Sequence, residues 1–229
     1  MTISSVPVPP RKGNGIMIKT AAMVGKIDEK LIHQVLEWGY GKVLDGGVMG
    51  SAYDLANDYL QKSSSNREAV TSLINWQTAK CGTTGFLTGV GGVVTLPFAI
   101  PANIAGVLLF QLQMIAAIAI IGGYNPKSDQ VRSLAFVCLT GSAATDLVKK
   151  LGIRVGEKTS ILALEAISTQ VVSKINKLVG LRMLTKFGRT GVVNFGKAVP
   201  VVGGIICGSI DAATTRIIGK TAQKYFLGM

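Results

Sequence analysis

The sequence predicts an all-α fold, a helical bundle around a central apolar, Gly/Pro-interrupted helical hairpin. Apolar residues recur at helical spacing in several segments, and the alternation typical of half-buried strands persists nowhere. The most apolar segment lies in the middle of the chain. With 48% hydrophobic and 16% charged residues among 229, the chain can bury a sizeable core, and intrinsic disorder is excluded.

We expect one helical domain over residues 27–229, preceded by a flexible N-terminal tail, residues 1–26. The tail is rich in proline and lacks the apolar core of about 7–15 residues that a secretory signal contains. The domain opens with short helical patterns in residues 27–60, which the glycines between positions 39 and 50 interrupt.

Two helices are expected to follow these glycines. One covers residues 51–60. The other begins after a polar loop, where Ser65 and Glu68 have the spacing of a capping box, and ends near Lys80.

The central segment between Cys81 and Pro126 contains no charged residue. We expect residues 86–100 and 102–121 to form the two arms of the hairpin. The second arm is long enough to span a hydrocarbon core of about 30 Å, although Gln111 and Gln113 interrupt it. Insertion into a membrane and burial at the centre of a soluble bundle both remain open for it.

Three helices are expected in the C-terminal half, over residues 128–150, 158–179 and 205–226. The middle one is amphipathic, with Lys174 and Lys177 off its apolar stripe. Such a helix can lie on a membrane or form the surface of a bundle.

The charge is concentrated at the C-terminal end. The formal net charge is +12, and residues 149–229 contain 13 basic and 3 acidic residues. A basic surface beside an apolar segment favours anionic lipid as a partner, with solubility as the alternative explanation. The low aromatic content, 6%, argues against nucleic-acid binding by base stacking.

Few residues in the chain point to catalysis. Three widely spaced cysteines and a single histidine, His33, do not form a metal-binding pattern or a disulfide framework. We therefore expect no cofactor and favour a non-enzymatic protein. Asp211 is an isolated carboxylate in an apolar stretch, and Thr215, one helical turn later, is its local candidate partner.

Three segments resemble the bacterial EcsC family. They are the glycine-rich run 85–97 with the Ile-Pro pair after it, residues 115–126, and the C-terminal run 208–226. Asn125 stands where an acidic residue is expected from that resemblance. The family-like positions are Gly85, Gly89, Gly92, Pro97, Pro101, Tyr124, Asp211 and Arg216.

The resemblance implies a membrane setting, and it carries over no catalytic residue. We therefore expect a protein of the bacterial cytoplasm that acts at or in the inner membrane. It would bind anionic lipid or a membrane protein through a basic face and an apolar segment. The residues expected to contact the membrane are Lys174, Lys177, Arg182, Lys186, Phe86 and Phe98.

Two other functions remain open at this point. The chain can be an accessory protein that binds a transporter, a secretion component or a toxin. It can also be a membrane-permeabilising toxin or defence effector that acts through the glycine-spaced hairpin.

Overall fold

The computed structural model describes residues 29–46, 50–82, 102–151, 164, 166–187 and 202–228, without the side chains of 82, 102–105, 184–187 and 202–210. Across these residues every regular element is a helix, as the sequence predicts, and none is a strand. The helices are α1 (Glu29–Asp45), α2 (Ala52–Gln61), α3 (Asn66–Gly82), α4 (Ala102–Ile121), α5 (Asp129–Leu139), a short 3-10 helix (Gly141–Ala143), α6 (Ala144–Lys150), α7 (Thr169–Phe187) and α8 (Val202–Leu227).

Helix α4 is the centre of the bundle and packs against α1, α2, α3, α5 and α8. Leu112, Ile115 and Ile118 are fully buried. Both of its glutamines donate hydrogen bonds within the chain. The side-chain amide of Gln111 donates to the Thr215 hydroxyl over 3.0 Å, and that of Gln113 donates to the Gly50 carbonyl over 2.9 Å. The polar residues of this apolar helix are therefore satisfied by neighbouring segments of the same chain.

A helix that crosses a membrane needs about 20 predominantly apolar residues. As far as the structure describes the helices, none is both long and apolar enough to cross a membrane. The first arm of the expected hairpin, residues 86–100, lies outside the described residues, so the hairpin itself stays a prediction.

Serine side chains cap the two helices that follow α1. At α2, the Asp54 amide donates to the Ser51 hydroxyl and the Ser51 amide donates to the Asp54 carboxylate, each over 3.0 Å. At α3, the Glu68 amide donates to the Ser65 hydroxyl over 3.2 Å, as the capping-box spacing predicts. The Glu68 carboxylate, however, accepts from the amide and hydroxyl of Ser64, so only half of the predicted box forms.

Helix α1 differs from the sequence prediction because it continues through Gly39 and Gly41 to Asp45. Gly39 faces α4, and a Cβ atom there would lie 3.0 Å from Leu112 Cδ1. The close approach of α1 to α4 thus leaves room for a side chain at this position only if Leu112 shifts.

The helix predicted over residues 128–150 is interrupted in the structure. Helix α5 ends at Leu139, and the 3-10 helix that follows begins at Gly141, which has a φ of +62°. The Thr140 hydroxyl donates to the Val137 carbonyl over 2.7 Å. Because left-handed φ values strongly favour glycine, Gly141 fixes the position of this break.

One of the last two helices lies where it is predicted and the other does not. Helix α7 covers Thr169–Phe187, so it begins and ends later than the predicted range 158–179. Residues 166–168 form a turn before the helix and are not helical, and residues 158–163 and 165 are not described. Helix α8 covers Val202–Leu227, where residues 205–226 are predicted. Helix α7 packs on α1 and α5, and α8 packs on α3, α4, α5 and the 3-10 helix.

Candidate functional site

Helix α7 separates a buried apolar stripe from an exposed cationic face. Ile175 and Val179 are buried, whereas Lys174, Lys177 and Arg182 are exposed. This is the division that the helical period of its apolar residues predicts. The helix contains four basic residues and no acidic one. Its outer face is therefore positively charged along its described length.

A cavity of about 380 Å³ lies where α7 and α8 meet the turn between α5 and α6. Arg182 contributes to its wall from α7, Ile217 from α8, and Gly141 from the turn. The large apolar side chains that are exposed among the described residues are Trp76 by 55%, Leu181 by 43% and Ile217 by 48%. Ile217 lines the cavity together with Arg182, and Leu181 precedes Arg182 in α7. We call Lys174, Lys177, Leu181, Arg182 and Ile217 the α7–α8 surface.

The exposed side of α8 extends the positive charge. Arg216, Lys220 and Lys224 are exposed at intervals of four residues, so they lie along one side of the helix. The acid of this helix, Asp211, is half-buried. The guanidinium of Arg216 donates to Asn75 Oδ1 of α3 over 3.4 Å. Arg216 is therefore hydrogen-bonded to α3, whereas Arg182 of α7 lines the cavity.

An open groove of about 910 Å³ lies on the opposite edge of α7, next to α1. His33, Asp129, Asn176 and Lys177 contribute to its lining. His33 Nε2 lies 3.7 Å from the Glu37 carboxylate, and that carboxylate also pairs with Arg132 at 3.3 Å. Arg132 in turn pairs with Asp129.

No group of three or more His, Cys, Asp or Glu side chains in the described part of the chain has the geometry to hold a metal ion. The lone histidine lies in an ion-pair network that joins α1 to α5. Its neighbour Glu37 is held between His33 and Arg132 by these pairs.

Asp211 lies near a polar cluster that joins α3, α4 and α8. Thr215 is fully buried and accepts the hydrogen bond from Gln111. Burial raises the pKa of the Cys81 thiol, a hydrogen bond with Thr215 lowers it, and the negative charge of Asp211 raises it. The structure gives Thr215 the partners Gln111 and Cys81, and the pairing of Asp211 with Thr215 stays a prediction.

Tyr124 connects two of the family-like segments. It is 5% exposed, and its ring packs edge-on against Phe226 with ring centroids 5.2 Å apart. A Cβ atom at Gly122 would lie 2.8 Å from the Phe226 carbonyl oxygen. The end of α4 therefore holds the end of α8 by close contact, which is a packing role for Tyr124.

Other sequence-predicted site residues lie outside the described residues. They are Gly85, Phe86, Gly89, Gly92, Pro97, Phe98 and Pro101, together with the side chain of Lys186.

Sequence reasoning missed Leu181 and Ile217. Each belongs to a helix whose other apolar residues are mostly buried, so its exposure depends on which neighbours cover the helix. The sequence did contain one signal for the cavity that Ile217 lines. Gly141, which also lines it, lies inside a predicted helix, and a glycine there marks a candidate break.

Comparison with known proteins bears on this architecture. A model of the EcsC protein family matches residues 15–227. The chain belongs to the EcsC protein family. No curated protein and no solved structure shows significant similarity to it. The EcsC match spans all three segments that resemble the family in sequence, and the Tyr124–Phe226 contact joins two of them.

Proposed function

We propose that this EcsC-family chain is a non-enzymatic protein that binds an anionic membrane surface at the cytoplasmic face of a bacterial membrane. The observation that carries the proposal is the α7–α8 surface, in which exposed Leu181 lies beside the exposed cations of α7 and exposed Ile217 lines a cavity with Arg182. A surface of this composition offers charge to lipid headgroups and apolar atoms to the layer below them.

The charge balance supports this proposal. Helix α7 contains four basic residues and α8 contains three, against one acid, Asp211. Each Lys or Arg near an anionic membrane contributes about 1 kcal/mol to binding. A few such residues acting together are enough for reversible attachment, and the attraction is screened as salt is added.

The apolar segment 85–101 completes the proposal. It lies between α3 and α4 in the sequence and contains Phe86 and Phe98, the aromatic residues expected to contact the membrane. In this proposal the cations attract the chain to the surface, and these side chains add apolar contact. Binding through the cations alone would already be measurable.

A charge-reversal variant tests the electrostatic part. We would replace Lys174, Lys177 and Arg182 with Glu and measure flotation on vesicles that contain phosphatidylglycerol, compared with neutral phosphatidylcholine vesicles. The expected result is loss of flotation on the anionic vesicles with an unchanged circular dichroism spectrum, because all three side chains are exposed.

A matched control separates this surface from net charge. Lys42, Lys62 and Lys127 are also exposed, and their replacement with Glu changes the net charge by the same amount. This control variant should still float. Equal loss in both variants would contradict a specific surface. A wild-type chain that never floats would overturn the proposal and redirect the search to a protein partner.

A further inference from the structure

A second positively charged feature lies between α3 and α8. It is an open groove of about 320 Å³ lined by Arg67, Thr71, Lys220 and Gln223. These side chains supply two cations, a hydroxyl and an amide to one small concavity. Phosphate oxygens accept hydrogen bonds from the two cations and the amide, and those from cations are the strongest.

A hydrogen bond holds together the two side chains of α8 that line the groove. Gln223 is 5% exposed, although it is polar. Its Oε1 accepts a hydrogen bond from Lys220 Nζ over 2.8 Å, which holds the ammonium group at the groove. An ammonium has three N–H donors, so this contact leaves Lys220 able to bind a ligand.

The carboxylate of Glu68, which lies close to the groove in the sequence, has hydrogen-bond partners outside it. Glu68 follows Arg67 in the sequence, and its carboxylate accepts hydrogen bonds from the amide and hydroxyl of Ser64, over 2.9 and 2.6 Å. The Thr71 hydroxyl donates its only proton to the Arg67 carbonyl over 2.8 Å, so Thr71 shapes the wall of the groove and is not a donor to a ligand. Lys220 is therefore bonded to an amide oxygen, while the Glu68 carboxylate is bonded to Ser64.

We propose that this groove binds a phosphate monoester or free phosphate, with Lys220 as the principal cation. The class of ligand follows from the donors of the groove, since two cations and an amide around one point suit a multiply charged oxyanion. A lipid source would be the headgroup of phosphatidic acid, and this arm rests on the proposed function. Binding of free phosphate does not depend on it.

The test compares Lys220→Gln with Lys224→Gln. Both substitutions remove one exposed cation from α8, one helical turn apart, but Lys224 does not line the groove. Inorganic phosphate is titrated into each variant and followed by NMR shifts of the backbone amides. We expect Lys220→Gln to weaken binding about tenfold or more and Lys224→Gln to change it less than about twofold, since losing a hydrogen bond to a charged ligand is costly.

The lipid arm uses vesicles of phosphatidic acid and of phosphatidylglycerol. If the ligand is a headgroup, wild type should prefer phosphatidic acid, and Lys220→Gln should lose that preference while still floating on phosphatidylglycerol. The α7 charge-reversal variant should keep phosphate binding in solution. Failure of the proposed function and failure of this groove are therefore seen in different measurements.

The remaining outcomes overturn the proposal. Equal effects of Lys220→Gln and Lys224→Gln would reduce the groove to general charge attraction. Absence of both phosphate binding and a preference for phosphatidic acid would show that the groove binds neither form of the ligand. As a second variant, Arg67→Gln removes the other cation that lines the groove, and it should also weaken phosphate binding if the groove recognises the anion.

Discussion

Helices α4 and α7 are the two described helices that the sequence offers to a membrane, and the structure gives them opposite environments. Helix α4 is predominantly apolar, yet five helices of its own chain pack around it. Helix α7 is less apolar, yet it exposes Lys174, Lys177 and Leu181. Hydrophobicity alone therefore does not identify the surface that meets a partner.

The difference arises from what covers each helix. The polar groups of α4 are used inside the bundle, where Gln111 bonds to Thr215 and Gln113 to Gly50. The polar groups on the outer face of α7 are cations, which remain favourable only in water or beside an anion. A membrane-binding role thus fits the amphipathic helix better than the apolar one.

The largest expected effect tests the enclosure of α4. Ile118→Ala should lower the free energy of unfolding by about 2–5 kcal/mol, because Ile118 is fully buried and its loss leaves a cavity. Leu181→Ala in α7 should change it by less than about 0.5 kcal/mol, because Leu181 is 43% exposed. Urea denaturation followed by circular dichroism measures both. Similar effects at the two positions would remove the contrast between the helices.

A smaller effect is expected at the buried glutamine of α4. Gln111→Ala should lower the free energy of unfolding by about 1–3 kcal/mol, because the buried Thr215 hydroxyl loses its hydrogen-bond donor. The double variant Gln111→Leu/Thr215→Val removes both polar groups and should be less destabilised than Gln111→Ala. If Gln111→Ala unfolds at the same urea concentration as wild type, this hydrogen bond does not help to enclose α4.

The helical period explains why parts of α7 could be predicted from the sequence. The exposure of Lys174 and Lys177 follows from the spacing of the apolar residues around them, which is a local property. The all-α fold follows from the same period repeated along the chain. Both predictions are confirmed by the structure. They could be made from the sequence because neither depends on contacts between distant parts of the chain.

The environment of α4 could not be predicted in the same way. The partner of Gln111 is 104 residues away, and the ring that covers Tyr124 belongs to the last helix. Whether Leu181 and Ile217 are exposed likewise depends on how the neighbouring helices pack over them. Such features are set by tertiary packing, so a single sequence left membrane insertion and core burial both open for residues 102–121.

The smallest expected effect concerns two glycines of α1 and sharpens how closely this helix encloses α4. Gly41→Ala should raise the free energy of unfolding by about 0.5–1 kcal/mol, because it lies within the helix and a Cβ atom there would meet nothing within 4 Å. Gly39→Ala has the same effect on helix propensity, but its Cβ would lie 3.0 Å from Leu112 Cδ1 and 3.3 Å from Leu109 Cδ2.

The two leucines of α4 must move to admit this methyl group, so Gly39→Ala should stabilise the chain less than Gly41→Ala or destabilise it. Thermal unfolding of the two single variants, measured side by side, gives the difference directly. A larger gain from Gly39→Ala than from Gly41→Ala would mean that α1 does not pack against α4 as closely as the structure shows. The enclosure of α4 would then be looser on the side of α1 than on the side of α8.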